Sequence, residues 1–200
     1  MKKLVYLISP NKIDHNFFAS LDKVLSFKNV KFFQLRLKNL SQKKLLNFSK
    51  RIIKITTKHK VKFIINDNFI LASKIKVDGC HMGQLDGSFK IARNKLRNKI
   101  LGITCHGSKT LAKIAITNKA DYLAFGSFFK SKLKPKAKKA KLDILRWAKK
   151  NTKKPIVVIG GINNLNYKKL INSGAKYIAI SSYIWDNPKL KPDTAIKKFK

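Results

Sequence analysis

The segment Ile156-Val157-Val158-Ile159 is apolar at four consecutive positions, and Gly160-Gly161 follows it directly. A strand with one exposed face alternates apolar and polar residues, whereas a strand that is covered on both faces is apolar throughout. The uninterrupted β-branched run therefore predicts a parallel strand that is packed between helices and other side chains.

Seven other short apolar runs resemble this one, and helical patterns separate them along the chain. These runs are Leu4–Ile8, Phe32–Leu35, Phe63–Ile65, Gly79–Met82, Ile100–Thr104, Tyr122–Phe125 and Tyr177–Ile180. Eight strands alternating with helices in 200 residues predict an α/β fold, a compact (β/α)8 TIM barrel with one domain over residues 1–200. The alternative is an open doubly wound sheet, which more often has a glycine-rich turn after its first strand; Ile8–Asn11 is not such a turn.

Four of the intervening segments carry clear helix signals. Ser41 and Ser108 are candidate N-cap residues, and apolar residues at helical spacing follow each of them. A third apolar stripe begins at Leu142 and a fourth at Tyr167, with Gly174 placed to end the last helix.

The composition is that of a globular protein, with 44% apolar residues, 28% charged residues, 9 Gly and 5 Pro. It excludes general disorder and fibrous repeats. The 2 Cys do not form a C-x-x-C motif, which argues against a disulfide scaffold and favours a reducing compartment. No apolar run approaches about 18 residues, and the amino-terminal one is too short for a signal peptide. We therefore expect a cytoplasmic protein with no membrane partner.

The charge balance is extreme, because 46 Lys and Arg oppose 9 acidic residues and give a formal net charge of +37. Such a field attracts polyanions, so nucleic acid is one interpretation. Only five of the cations are Arg, however, and Arg is the usual reader of bases and phosphates. Lys dispersed among many Asn and Ile favours drift toward A- and T-rich codons, and we expect no specific nucleic-acid partner.

In a barrel, the chemistry lies where the strands end. After the second run, Gln34, Arg36 and Lys38 alternate along an extended segment, so their side chains share one face. An amide and two cations at this position suit a phosphorylated substrate, although Lys38 taken alone also fits a solvated surface.

Two of the nine acidic residues follow neighbouring strands. Asn66 and Asp67 come after the third run, and Asp86 comes after the fourth. Carboxylates at adjacent strand ends could hold Mg²⁺ against a pyrophosphate. The alternative is that both are turn residues, and Asp86-Gly87 in particular has that character.

Small, hydroxyl and histidine residues follow the later strands. They are Thr104 and His106 after the fifth, Gly160 and Gly161 after the seventh, and Ser181 and Ser182 after the eighth. Barrels often bind phosphate with the loops after strands seven and eight, and His106 is a candidate acid or base in the mouth. Cys80-His81 and Cys105-His106 invite a zinc interpretation, but consecutive strand residues face opposite sides, so the four do not easily converge.

Seven segments in one order resemble the thiamine phosphate synthase and TenI-like family. They are Leu4–Ile8, Phe33–Lys38, Phe63–Asp67, Asp78–Asp86, Leu101–Thr104, Ala120–Gly126 and Pro155–Ile162. The resemblance runs from near residue 4 to about residue 184. It implies a barrel and a transferase that joins hydroxymethylpyrimidine diphosphate to thiazole phosphate with Mg²⁺, releasing pyrophosphate and forming thiamine phosphate.

The resemblance also implies roles for individual residues. Those at the pyrimidine diphosphate site would be Gln34, Arg36, Lys38, Asn66 and Thr104, with His106 nearby in the mouth. Asp67 and Asp86 would be the Mg²⁺ ligands. Arg36, Lys38 and Lys134 would act on the diphosphate during catalysis, and Ser131 would remain from the loop that binds substrate. Gly160, Gly161, Ser181 and Ser182 would hold the thiazole phosphate. The expected partners are therefore small phosphorylated molecules, and a homo-oligomer is left open.

One loop departs from the family pattern. Typical synthases have Gly-Pro-hydrophobic-Phe-Pro-Thr-x-Thr-Lys after strand six, whereas residues 126–134 keep one hydroxyl at Ser131 and have Leu133 in place of the other. Three hypotheses follow: an active synthase, a TenI-like thiazole tautomerase with His106 as proton carrier, and a catalytically weak phosphate- or polyanion-binding barrel. Retention of both Asp67 and Asp86 favours the synthase, because a proton-shuttling tautomerase needs no pyrophosphate metal site.

Overall fold

A computed structural model of the protein describes residues 4–38, 40–130 and 139–200. Its eight strands are β1 (Val5–Ile8), β2 (Val30–Leu35), β3 (Lys62–Asn66), β4 (Gly79–Met82), β5 (Ile100–His106), β6 (Tyr122–Phe125), β7 (Ile156–Ile159) and β8 (Tyr177–Ile180). Each strand pairs in parallel with the next, and β8 pairs with β1, so the sheet closes into a barrel. The predicted (β/α)8 barrel is confirmed, and the open-sheet alternative is wrong.

Helices cover the outside of the barrel; the first seven connect successive strands, and the last two follow β8. They are α1 (Phe17–Leu25), α2 (Gln42–Lys58), α3 (Phe69–Lys74), α4 (Phe89–Leu96), α5 (Lys109–Thr117), α6 (Asp143–Asn151), α7 (Tyr167–Asn172), α8 (Ser182–Trp185) and α9 (Pro192–Ile196). Ser41 and Ser108 cap α2 and α5 as predicted, because their hydroxyls accept hydrogen bonds from Lys44 N and Leu111 N. None of the helices in the described ranges is long and apolar enough to cross a bilayer.

Two separate apolar clusters explain why the strands are apolar throughout. The alternate residues Tyr6 and Val157 belong to a cluster inside the barrel. Val5, Leu7 and Val158, their neighbours in the same strands, belong to the larger cluster between sheet and helices. Because strand side chains alternate between faces, burial of both faces leaves no position for a solvated polar residue along β1 or β7.

Candidate active site

A cavity of about 1200 Å³ opens at the carboxyl ends of the strands. It brings together the predicted site residues that the structure describes: Gln34, Arg36, Lys38, Asn66, Asp67, Asp86, Thr104, His106, Gly160, Gly161, Ser181 and Ser182. Ser131 and Lys134 lie outside the described residues. Residues that follow six different strands therefore line one cavity, as expected for a barrel whose chemistry lies at the strand ends. The individual roles of these residues remain predictions.

The backbone of β2 is anchored where it enters the cavity. Ser9, which is 2% exposed, accepts a hydrogen bond from Arg36 N at 2.9 Å through its hydroxyl oxygen. The same hydroxyl donates to the carbonyl oxygen of Arg36 at 3.2 Å or to that of Pro10 at 3.1 Å. Ser9 N also donates to the Gln34 carbonyl at 2.9 Å. These contacts fix the segment that carries the amide and the two cations.

Asp67 and Asp86 face each other across the ends of β3 and β4. Asp67 adopts a left-handed conformation with φ of +63°, and its N–H donates to the His81 carbonyl at 2.8 Å. Asp86 accepts a hydrogen bond from Gly83 N at 2.6 Å. Burial and the hydrogen-bonded, like-charged Asp86 raise the pKa of Asp67 to about 7, although Arg36 and Lys38 act in the opposite direction.

Two opposed carboxylates are a donor set for a hard cation. No group of three or more His, Cys or Asp suited to a metal ion occurs within residues 4–38, 40–130 and 139–200. A cation held by Asp67 and Asp86 would therefore complete its coordination with the Asn66 amide oxygen, water or substrate oxygens. Mg²⁺ is commonly bound in this way, by one or two carboxylates together with substrate phosphates.

The polar floor of the cavity is a set of side chains that hydrogen-bond through the barrel interior. Gln34 Nε2 donates to Tyr6 Oη at 2.9 Å, and Tyr6 Oη lies 2.7 Å from Tyr122 Oη. His81 Nδ1 lies 2.9 Å from Tyr122 Oη, and His81 Nε2 lies 2.8 Å from Thr104 Oγ1. Side chains from five strands thus link Gln34 to Thr104.

Gly102 makes room for this set of side chains. A Cβ atom at position 102 would collide with the ring and hydroxyl of Tyr122, which pairs with it on the adjacent strand. The Tyr122 ring stacks on His81, with the centroids 5.7 Å apart and the planes inclined by 7°. The absence of a side chain on β5 therefore permits the close packing of Tyr122.

The zinc interpretation does not match the directions of the paired residues. Cys80 and Cys105 are fully buried in the cluster between sheet and helices. His81 instead contacts Tyr122 and Thr104 inside the barrel, and the exposed His106 lines the cavity. The two thiols and the two imidazoles consequently lie on opposite sides of the sheet.

The far side of the cavity is built from glycines and serines. Gly160 and Gly161 have φ of +104° and +62°, and a Cβ on either would collide with the segment of residues 127–130. Phe129 N donates to the Gly160 carbonyl at 3.0 Å, and Ser181 Oγ donates to the Ser9 carbonyl at 2.9 Å. Close packing against residues 127–130 thus explains why both positions are glycine, independently of any contact with phosphate.

Comparison with known proteins identifies the family. The sequence model described as thiamine monophosphate synthase matches residues 5–184. A thiamine-phosphate synthase of Pelagibacter ubique is 54% identical over 200 residues, which are 100% of this chain and 97% of that protein. One of Erythrobacter litoralis is 39% identical over 186 residues, 90% of this chain and 87% of that protein.

The chain belongs to the thiamine monophosphate synthase family. The resemblance drawn from its seven segments is confirmed. A solved structure of thiamine phosphate pyrophosphorylase from Pyrococcus furiosus superposes with a TM-score of 0.86 at 25% identity, covering 98% of this chain and 93% of that one. A 3-hexulose-6-phosphate synthase superposes with a TM-score of 0.64 at 15% identity, covering 97% of each chain, which shows a shared barrel alone.

Sequence reasoning missed Ser9 and His81, which line the cavity of this family member, and the two tyrosines that hydrogen-bond beneath it. The sequence predicts Tyr6 and Tyr122 only as parts of apolar strands, and it singles out His81 only for the zinc interpretation that strand alternation disfavours. Ser9 was noted merely as part of a turn that lacks glycine. One signal was available for the tyrosines: each occupies an inward position of a strand, where a phenol needs a polar partner.

Proposed function

We propose that this chain joins hydroxymethylpyrimidine diphosphate to thiazole phosphate, forming thiamine phosphate and releasing pyrophosphate. Full-length relatives named thiamine-phosphate synthase support this over the tautomerase and the non-catalytic barrel. The observation that carries the proposal is the opposed carboxylate pair beside two cations in one cavity. Arg36 and Lys38 act electrostatically on Asp67, which lies against Asp86, an arrangement suited to a diphosphate and its metal ion.

The first substrate is proposed to bind with its ring on the polar floor and its diphosphate toward the cations. Gln34 and Thr104 offer amide and hydroxyl groups to the aminopyrimidine. Arg36 and Lys38 lie on the same strand end and neutralise diphosphate oxygens. The anchoring of the Arg36 backbone by Ser9 keeps this end of β2 in position before substrate arrives.

Mg²⁺ is the proposed cofactor, with Asp67 and Asp86 as protein ligands and Asn66 beside them. The donor set fits, because the Asp67 and Asp86 carboxylates lie in hydrogen-bond contact and a divalent cation would offset the repulsion between their charges. When bound, Mg²⁺ would supply neutralisation of the negative charge that develops on the leaving pyrophosphate.

The reaction breaks the bond between the pyrimidine methylene carbon and the diphosphate oxygen, and the electron pair leaves with pyrophosphate. The electron-rich aminopyrimidine tolerates the resulting cation, and the thiazole nitrogen then forms a bond to the methylene carbon. Arg36 and Lys38 stabilise the departing charge, and Lys134 is proposed to assist them. Positioning and electrostatics thus account for the catalysis, and no protein nucleophile is needed.

The second substrate is proposed to bind on the opposite side of the cavity. Gly161, Ser181 and Ser182 would hold the thiazole phosphate, and Ser131 would contribute its hydroxyl. Barrels commonly bind phosphate with the loops after strands seven and eight, and these residues follow β7 and β8. The two substrates would therefore meet across the mouth, above the floor formed by Gln34 and Thr104.

Incubation of the protein with both substrates and Mg²⁺, followed by chromatographic detection of thiamine phosphate, tests the proposal. We expect product and pyrophosphate in equal amounts, and loss of both when EDTA removes the metal. Absence of product with both substrates and Mg²⁺ present would refute the synthase assignment. Undiminished turnover in EDTA would refute the metal assignment alone. A cytoplasmic location remains part of this proposal, supported by two free, buried cysteines.

A further inference from the structure

The hydrogen-bonded side chains inside the barrel have one direction of donation. Four contacts connect Gln34, Tyr6, Tyr122, His81 and Thr104 in that order. Each phenol and each hydroxyl has a single proton, so a donor fixed at one end fixes every donor along the series. These five hydrogen-bonded side chains form the interior chain.

The direction is set at Gln34, which is 2% exposed. Its Nε2 group donates to Tyr6 Oη and has no lone pair to accept the Tyr6 proton. Within residues 4–38, 40–130 and 139–200, the other hydrogen-bonding neighbour of Tyr6 Oη is Tyr122 Oη. Tyr6 must then donate to Tyr122, because a buried hydroxyl proton without an acceptor is costly.

The same accounting fixes the protonation of His81. Tyr122 Oη accepts from Tyr6, so its own proton points to His81 Nδ1. A nitrogen that accepts carries no proton, so the neutral imidazole carries its proton on Nε2. That N–H donates to Thr104 Oγ1 at 2.8 Å, and the Thr104 proton must point away from His81.

We propose that His81, held by Tyr122 and Tyr6, is a positioning residue that makes the Thr104 hydroxyl a hydrogen-bond donor to the pyrimidine substrate. Thr104 lines the cavity, so its proton is directed to the space where substrate binds. The acceptor is a ring nitrogen, since the exocyclic amino group of an aminopyrimidine donates. The inference deepens the proposed function and rests on it for the identity of the substrate.

Burial supports the protonated phenols that the interior chain requires. It raises the pKa of both Tyr6 and Tyr122, so both phenols keep their protons at neutral pH. With both phenols protonated, the direction of donation leaves one tautomer of the neutral imidazole, with its proton on Nε2.

The tautomer can be measured directly by ¹⁵N NMR of the histidine side chains. The protein has 4 His, and the signals lost in His81→Gln assign those of His81. We expect a protonated Nε2 and a bare Nδ1 in the substrate-free enzyme at pH 7. In Tyr122→Phe the donor to Nδ1 is gone, and we expect a mixture of tautomers.

Kinetics separate positioning from a structural role. In His81→Leu we expect KM for the pyrimidine diphosphate to rise about 3- to 10-fold, the range of one hydrogen bond, while KM for thiazole phosphate stays within about 2-fold. The amide of His81→Gln can still donate to Thr104 and should recover most of the loss. Tyr177→Phe is the control, because Tyr177 lies in the same interior cluster and its hydroxyl is outside the interior chain.

A proton on Nδ1 of His81, or an equal rise of both KM values, would overturn the inference. If His81→Leu does not fold, the tautomer in the wild-type protein and in Tyr122→Phe decides the question. Failure of the proposed function looks different: the wild-type protein then makes no thiamine phosphate, whatever the tautomer of His81. Normal turnover with the wrong tautomer refutes the positioning role alone.

Discussion

Replacing Asp67 by Asn should stabilise the metal-free protein while it abolishes turnover. Asp67 and Asp86 repel each other in the folded state, and burial adds to the cost of the Asp67 charge. Asn removes that charge and retains the shape of the side chain. It also tolerates the left-handed backbone at φ of +63° better than other substitutes except Gly, so the local conformation is retained.

The size of the effect follows from the pKa of Asp67, which rises from 3.8 to about 7 in the folded protein. A change of this size corresponds to at most about 4 kcal/mol of unfolding free energy. Asp67 is only partly buried, and solvent screens the interaction, so we expect a gain of about 1 to 2 kcal/mol in Asp67→Asn.

The sign of the pH dependence is also determined. The folded state binds the Asp67 proton more tightly than the unfolded state does, so the wild-type protein loses stability as the pH rises from about 4 to about 7. Asn does not titrate. The advantage of the variant should therefore be small near pH 4, grow toward pH 7 and stay constant at higher pH.

Urea unfolding in EDTA, monitored by Trp fluorescence at pH 4, 5, 7 and 8, measures this difference. Asp14→Asn is the control, because it makes the same chemical change at an exposed position. Added Mg²⁺ should stabilise the wild-type protein and not Asp67→Asn, so the difference in unfolding free energy between the two proteins should become smaller. A variant that is less stable than the wild-type protein at pH 8, or a gain that is independent of pH, would refute the reasoning.

Four further outcomes are expected. Lys38→Ala should lower kcat/KM for the pyrimidine diphosphate about 10- to 100-fold with little change in stability, because an exposed cation that stabilises leaving-group charge is lost; steady-state kinetics and a melting curve test both halves. His106→Ala should change thiamine phosphate formation less than about 5-fold, since no proton moves when the carbon–nitrogen bond forms; a loss as large as that of Lys38→Ala would point to proton transfer instead. Gly160→Ala should destabilise the protein by more than about 2 kcal/mol in urea unfolding, because the added Cβ would collide with Ser127 and the φ of +104° at position 160 disfavours alanine. An unchanged midpoint would show that residues 127–130 move to accommodate the methyl group. Binding to duplex DNA should fade steeply with salt and show no sequence preference in a fluorescence anisotropy titration, and tight selective binding at physiological salt would contradict the drift interpretation.

The strands were predictable because closure of the barrel buries both of their faces. Alternate residues of Ile156–Ile159 pack in the two apolar clusters, so every position of this strand is apolar in the sequence. The short helices were less accessible. α8 has 4 residues, too few to show a helical period, and the 6 residues of α3 lack the terminating glycine that marks the equally short α7. Their positions follow from the packing of the barrel, which local sequence does not record.

The position of the candidate site was predictable from the sequence, whereas the contacts among its side chains were not. The ends of the strands converge in a barrel, and this was enough to predict that Arg36, Asp67 and Asp86 lie around one cavity. The hydrogen bond between Tyr6 and Tyr122 joins residues 116 positions apart, and strand periodicity gives only the face on which each lies. The N–H of the left-handed Asp67 likewise donates to the His81 carbonyl, a contact that periodicity along one strand does not give.

The fit of Tyr122 over Gly102 has a consequence for the history of this sequence. A side chain at position 102 requires a smaller residue at position 122, and a smaller residue at 122 removes the hydroxyl that contacts His81 Nδ1. Neither position can change alone without loss. Among diverging descendants, substitutions at these two sites should therefore arise together or not at all.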